Sequence, residues 1–243
     1  MTDITIAWFS AGVSSAIATK LMIKEIDKIF YIHIEDQHHD TLRYVHDCEK
    51  WFGKPVEILT SAYKNVETAC LMAGGKGYIN GPHGAACTRL LKKRVRKEWE
   101  ANNHFQYAHI RYVYGMDMEE SVRCENLVES MPDFELLFPL IAMKITKNEA
   151  HRIMMASGIK RPAMYELGYH NNNCIGCVKG GMGYWNRIRR DFPAIFRARA
   201  EMERKIGATC INGTYLDELD PMSGRNEPPI DGDCGLFCEA TAI

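Results

Sequence analysis

The feature that most constrains this chain is its opening: an apolar run at residues 4–9 breaks off into Ser10-Ala11-Gly12-Val13-Ser14-Ser15 and then resumes with helical spacing. Six residues rich in Ile, Trp and Phe, stopped at once by turn formers, read as a buried strand. The helix is expected to begin near Ser14, because Ile17 and Leu21, and Ala18, Met22 and Ile26, recur at its period. Ser14 or Ser15 would then cap its first amides. A strand, a small-residue turn and a helix N-terminus aim several backbone N–H groups and the positive end of a helix dipole at one point, which suits a phosphate. The turn has neither the Gly-Lys-Ser/Thr of a Walker loop nor the three-glycine dinucleotide spacing.

The alternation continues with strands expected at 28–34, 55–59 and 108–114 and an amphipathic helix at 41–52. It predicts an α/β fold with a doubly wound, mainly parallel sheet, whose ligands sit beyond the carboxyl ends of the strands. Glu35, Asp36, His38 and His39 fall on that edge. Residues 74–84 are rich in glycine and predict a long loop, of the kind that more often carries function than not. Cys87 then opens a helix reaching residue 97, with five cations in its last six positions, Lys92, Lys93, Arg94, Arg96 and Lys97. Such a run is either a solvated face or a surface for an anion or nucleic acid. A charged helical region follows at 185–206, interrupted near Pro193.

The net charge of −1 gives no overall attraction to nucleic acid or membrane and leaves only local basic patches to provide one. No apolar run approaches the roughly 20 residues of a membrane span, and the opening strand does not read as a signal peptide, so a cytoplasmic location is expected. Nine cysteines, including one Cys-x-x-Cys at 174–177, favour metal or redox chemistry over structural disulfides. Cys48, Cys70 and Cys124 fall within helical patterns and read as small buried apolar residues.

Residues 10–15 resemble the pyrophosphate loop Ser-Gly-Gly-x-Asp-Ser of the adenine nucleotide alpha hydrolase-like superfamily, which includes ATP pyrophosphatases, tRNA thiolation enzymes and phosphoadenosine phosphosulfate (PAPS) reductases. Ser10, Gly12 and Ser15 match, while Ala11 and Ser14 depart, and Ser14 removes a carboxylate that metal-assisted ATP cleavage would use. Further stretches resemble the PAPS reductases in order. Asp36 and Thr41 follow the second strand; Gly115, Glu120, Ser121 and Arg123 follow the fourth, with Met116 and Asp117 where a basic residue is common. Phe138-Pro139-Leu140 resembles that family's Pro-Leu strand, and Thr146 and Glu149 have the spacing of a capping box on the next helix. Residues 162–177 resemble a Pro, Tyr and Gly-Tyr stretch ending in Cys-x-x-Cys, and Asp233-Cys234-Gly235-Leu236-Phe237 resembles a mobile Glu-Cys-Gly-Leu/Ile-His tail.

The resemblance implies an adenine-nucleotide-binding domain over 1–180 and a helical extension with a cysteine-bearing tail over 181–243. It implies that ATP, adenylyl sulfate or PAPS lies on Ser10, Ala11, Gly12, Ser14, Ser15, Asp36, Arg89, Lys92, Gly115, Glu120, Ser121 and Arg123, and that Cys234 attacks sulfur. A thiol reductant such as a thioredoxin-like protein would complete the cycle, and a homo-oligomer is compatible with it. Cys87, Cys174 and Cys177 would hold a [4Fe-4S] cluster; with His83 they would instead make a zinc site, and packed or redox thiols stay open as a third reading. Two alternatives remain at this point: an ATP-dependent, iron–sulfur-dependent thiolation of nucleic acid, and a nucleotide-binding accessory protein without catalysis.

Overall fold

The computed structural model describes residues 2–81 and 84–225 of the 243-residue chain. Its centre is a five-stranded, wholly parallel sheet in the order β3-β2-β1-β4-β5, formed by β1 (Thr2–Trp8), β2 (Lys28–His33), β3 (Val56–Thr60), β4 (Tyr107–Val113) and β5 (Glu135–Leu137). The doubly wound α/β expectation is met. The strands point alternate side chains to opposite faces, and both faces are covered. Ala7, Phe9, Ile29, Tyr31 and Val113 pack on one side with helices α1 (Val13–Leu21), α2 (Asp40–Phe52) and, further along the chain, Ala150 and Met154. Ile4, Ile6, Trp8, Phe30, Ile32, Tyr112 and Tyr114 pack on the other with α4 (Arg94–Asn103) and α5 (Ser121–Ser130). Each large apolar side chain buried this way is worth about 1.5–3 kcal/mol, which makes the strand register hard to slip.

Helix α3 (Val66–Met72) covers the carboxyl edge of the sheet with Ile34, and a π-helical segment at Thr88–Lys93 runs directly into α4. After β5 come α6 (Pro139–Ala142), α7 (Lys147–Ala156), α8 (Ala163–Glu166), α9 (Met182–Asp191) and α10 (Pro193–Ile206). The expected break at Pro193 is where α9 gives way to α10, with the proline in the first turn of the new helix, where its missing N–H costs nothing. Thr146 and Glu149 form the expected capping box: the Glu149 amide donates to Thr146 Oγ1 at 3.3 Å and the Thr146 amide to Glu149 Oε2 at 2.8 Å. The Phe138-Pro139-Leu140 strand is corrected. The strand ends one residue earlier, at Leu137, and Pro139 starts α6, because proline has no amide for the ladder but suits a helix start.

Strand order reverses between β1 and β4, so the loops after these two strands face each other across a crevice at the carboxyl edge. Met202 on α10 packs against α3 and Ile34, and Cys174 joins the same cluster, so the segment following α8 is folded onto that edge.

Candidate functional site

The turn after β1 is built by its own serines. Ser10 Oγ accepts the Gly12 amide at 3.3 Å, Ser15 Oγ accepts the Ser10 amide at 3.2 Å and donates to the Gly12 carbonyl at 3.0 Å, and the two hydroxyls lie 2.9 Å apart. Ala11 sits at φ 60°, in the left-handed region where glycine is the usual occupant. The expectation that Ser14 or Ser15 caps α1 is corrected: the helix begins at Val13 with Gly12 as its N-cap, so both serines lie inside the first turn. Ser14 Oγ donates instead to Asp117 Oδ2 at 3.4 Å. Asp117, buried in the loop after β4, thus sets a carboxylate against the first turn of α1. Its other oxygen takes the Glu119 amide at 3.1 Å.

Gly115 is where the two loops meet. A Cβ at this position would lie 2.2 Å from Ser15 Cα and 2.4 Å from its nitrogen, so no other residue lets the end of β4 approach the first turn of α1 so closely.

The stretch from α8 to the paired cysteines closes over this turn. Tyr165 accepts the Val13 amide on its hydroxyl at 3.3 Å, Asn172 Nδ2 donates to the Ala11 carbonyl at 2.9 Å, and Thr41 Oγ1 donates to Asn172 Oδ1 at 3.3 Å. A small pocket is left between Ser10, Gly12, Gln37, Lys92, Asn172, Asn173 and Cys174. It has room for about one water molecule. Lys92 is buried at its wall and is the cation of this pocket.

The remaining residues expected at a nucleotide are placed as follows. The Asp36 carboxylate is taken up by the Arg199 guanidinium and, at 2.6 Å, by the Val66 amide. Glu120 and Arg123 pair with each other at the start of α5, and Ser121 is exposed beside them. Arg89 is exposed and lines a separate groove with Lys93 and Lys97. His83 and Cys234 lie outside the described residues.

The structure gathers more thiols than the motif names. Cys87 and Cys174 share an apolar cluster with Cys70 and Cys210, and Cys177 borders it across the Cys-x-x-Cys turn. Cys70 is buried as expected, and its thiol accepts the Cys87 amide and lies within electrostatic reach of Cys177. Burial pushes the Cys174 thiol up to about 12, with the Lys92 cation pulling the other way. Burial also pushes Cys70 up to about 12 and Cys210 higher still. Among the described residues no group of three or more His, Cys, Asp or Glu is arranged to hold a metal ion.

Asn172 and Gln37 are site residues that motif reading did not single out, while Tyr165 and Asp117 stood in its stretches without a role at the turn. Only the three consecutive asparagines before Cys174 signalled polar work in that turn, since a polar run entering a buried loop must find partners. Comparison of the chain with protein-family models found no matching family, and comparison with curated proteins found no match. Among the described residues no helix is long and apolar enough to cross a membrane.

Proposed function

We propose that this protein is an enzyme that binds an adenine nucleotide or sulfonucleotide at the β1–α1 turn and carries out thiol-dependent sulfur chemistry beside it. One observation carries the reading: Cys174 and Lys92 line the same pocket as Ser10 and Gly12, so a thiol and a cation stand next to a turn built of backbone amides. The amides at the start of α1 and Lys92 would take the phosphates, in the way helix N-termini bind anions. Asn172 and Tyr165 hold the turn in shape. For a sulfonucleotide, the Cys234 thiolate attacks sulfur, the bond from sulfur to the phosphate oxygen breaks, and the nucleotide leaves with its electron pair. A cysteine thiosulfonate remains, and a dithiol reductant frees sulfite by attacking the cysteine sulfur, ending as a disulfide. An attacking thiolate needs neighbouring positive charge, which Lys92 supplies in this reading.

The test is calorimetric titration of anaerobically purified protein, with iron and zinc determined, against ATP, adenylyl sulfate and PAPS, followed by an assay for released sulfite. The expected result is binding of at least one of the three, weakened tenfold or more by Lys92→Ala, and sulfite release lost in Cys234→Ser. Absence of affinity for all three overturns the reading, and so does turnover that Cys234→Ser leaves intact.

A further inference from the structure

A second concave surface lies away from the pocket beside Ser10. It is a groove of about 580 Å³ between the π-helical segment with α4 and the end of α5, lined by Arg89, Lys93, Arg94, Arg96, Lys97 and Glu98 together with the apolar Leu90, Ala101 and Met131. Arg94 pairs with Glu98 at 2.7 Å and Arg96 with Glu100 at 2.5 Å. Arg89 and Lys97 make no ion pair among the described residues. A solvated helix face spreads its charges on a convex surface and alternates their signs; here cations gather in a concavity that also has apolar lining.

Spacing sets the class of ligand. Arg89, Lys93 and Lys97 recur every fourth position, so they follow one side of the helical segment over roughly 12 Å at 1.5 Å per residue. That is too long for one phosphate and suits a row of them. The apolar part of the lining gives sugar and base faces a surface that a carboxylate-rich peptide does not use.

We propose that this groove holds the phosphodiester backbone of a single-stranded nucleic acid, gripped by Arg89, Lys93 and Lys97. The proposal does not depend on the nucleotide reading above, since Lys97 does not line the pocket that would take a mononucleotide.

The test is fluorescence anisotropy with a labelled 12-nucleotide single strand, as RNA and as DNA, and the matching duplex, over a range of salt. Binding of single strands is expected, with log affinity falling against log salt at a slope near −2 for about three neutralised phosphates. Arg89→Ala with Lys97→Ala should weaken it tenfold or more and flatten the slope by more than one unit. Thermal melts and ATP titration of Lys97→Ala, expected to match the parent, separate loss of the groove from loss of fold or of the other site. No binding at low salt, preference for the duplex, or an affinity and slope unchanged in the double variant overturns the proposal.

Discussion

The Arg199 guanidinium is buried against the Asp36 carboxylate, and together they hold the turn between Cys174 and Cys177: the Ile175 amide donates to the Asp36 carbonyl at 2.9 Å and Arg199 Nε to the Gly176 carbonyl at 3.3 Å. A helix late in the chain and the loop after β2 thus fix the position of the paired thiols. Removing one partner of a buried pair leaves the other charge without compensation, which costs about 3–5 kcal/mol. Arg199→Met is therefore expected to lower unfolding stability by about that amount in urea melts. Adding Asp36→Asn should restore part of it, and a double variant no better than the single one would refute the pairing as the cause.

Cys174 is held as a neutral thiol. Burial pushes it up to about 12, so the thiolate is scarce at neutral pH. Peptide mapping after brief iodoacetamide treatment at about pH 7 should find the half-buried Cys87 modified first and Cys174 modified far more slowly. Alkylation of Cys174 in the folded protein should quicken about tenfold per pH unit between pH 8 and 10. Lys92→Met, which removes the nearby cation, should slow it further, and faster labelling in that variant would contradict the placement.

The doubly wound, mainly parallel sheet and the helix break at Pro193 were legible because strand and helix periods and proline chemistry are local properties. The site was legible only in part. Ser10 and Gly12 stood out because they lie within one turn, whereas Asn172 and Tyr165 reach Ala11 and Val13 from more than 150 positions away, and nothing in local pattern encodes such a contact. Asp36 shows the reverse limit: a carboxylate at a strand end looks open to ligand, but its partner Arg199 lies in a helix that reads as a charged surface. Cys210 went unnoticed since a lone cysteine outside a motif carries no spacing signal.

Gly115→Ala tests the closeness of the two loops. The added Cβ meets the Ser15 backbone, which cannot rotate away as a flexible side chain would, so the β4 loop or α1 must shift. Overpacking of this kind costs about 1–3 kcal/mol, and the thermal midpoint should fall together with any nucleotide affinity. A variant as stable as the parent would show that the loops stand further apart.

Ala11→Gly should act in the opposite direction. A non-glycine residue at φ 60° pays about 1–2 kcal/mol for its Cβ, which glycine does not, although glycine loses more freedom on folding. The net expectation is a gain of about 0.5–1 kcal/mol in urea melts. A loss would place Ala11 in ordinary backbone.

Asp40 joins α2 to the chain that leads into Tyr165. Its carboxylate takes Arg43 Nε at 2.6 Å and Arg43 Nη2 at 2.8 Å, and accepts the Ala163 amide at 2.8 Å, while Arg43 also donates to the carbonyls of Lys160 and Arg161 at 3.0 Å each. The Arg43 hydrogen bonds hold the Asp40 carboxyl below its ordinary 3.8, against the opposing effect of partial burial. A carboxylate whose pKa is lower folded than unfolded adds stability that is fully present above the unfolded value and disappears as pH falls through the folded one. Asp40→Asn should therefore cost about 1–2 kcal/mol at pH 7, a figure reduced for the partial exposure of the pair. In urea melts from pH 7 to pH 2.5 the gap between parent and variant should stay constant down to about pH 5 and then narrow. A gap that persists unchanged at pH 2.5 would mean that the ionised carboxylate is not what ties α2 to residues 160–163.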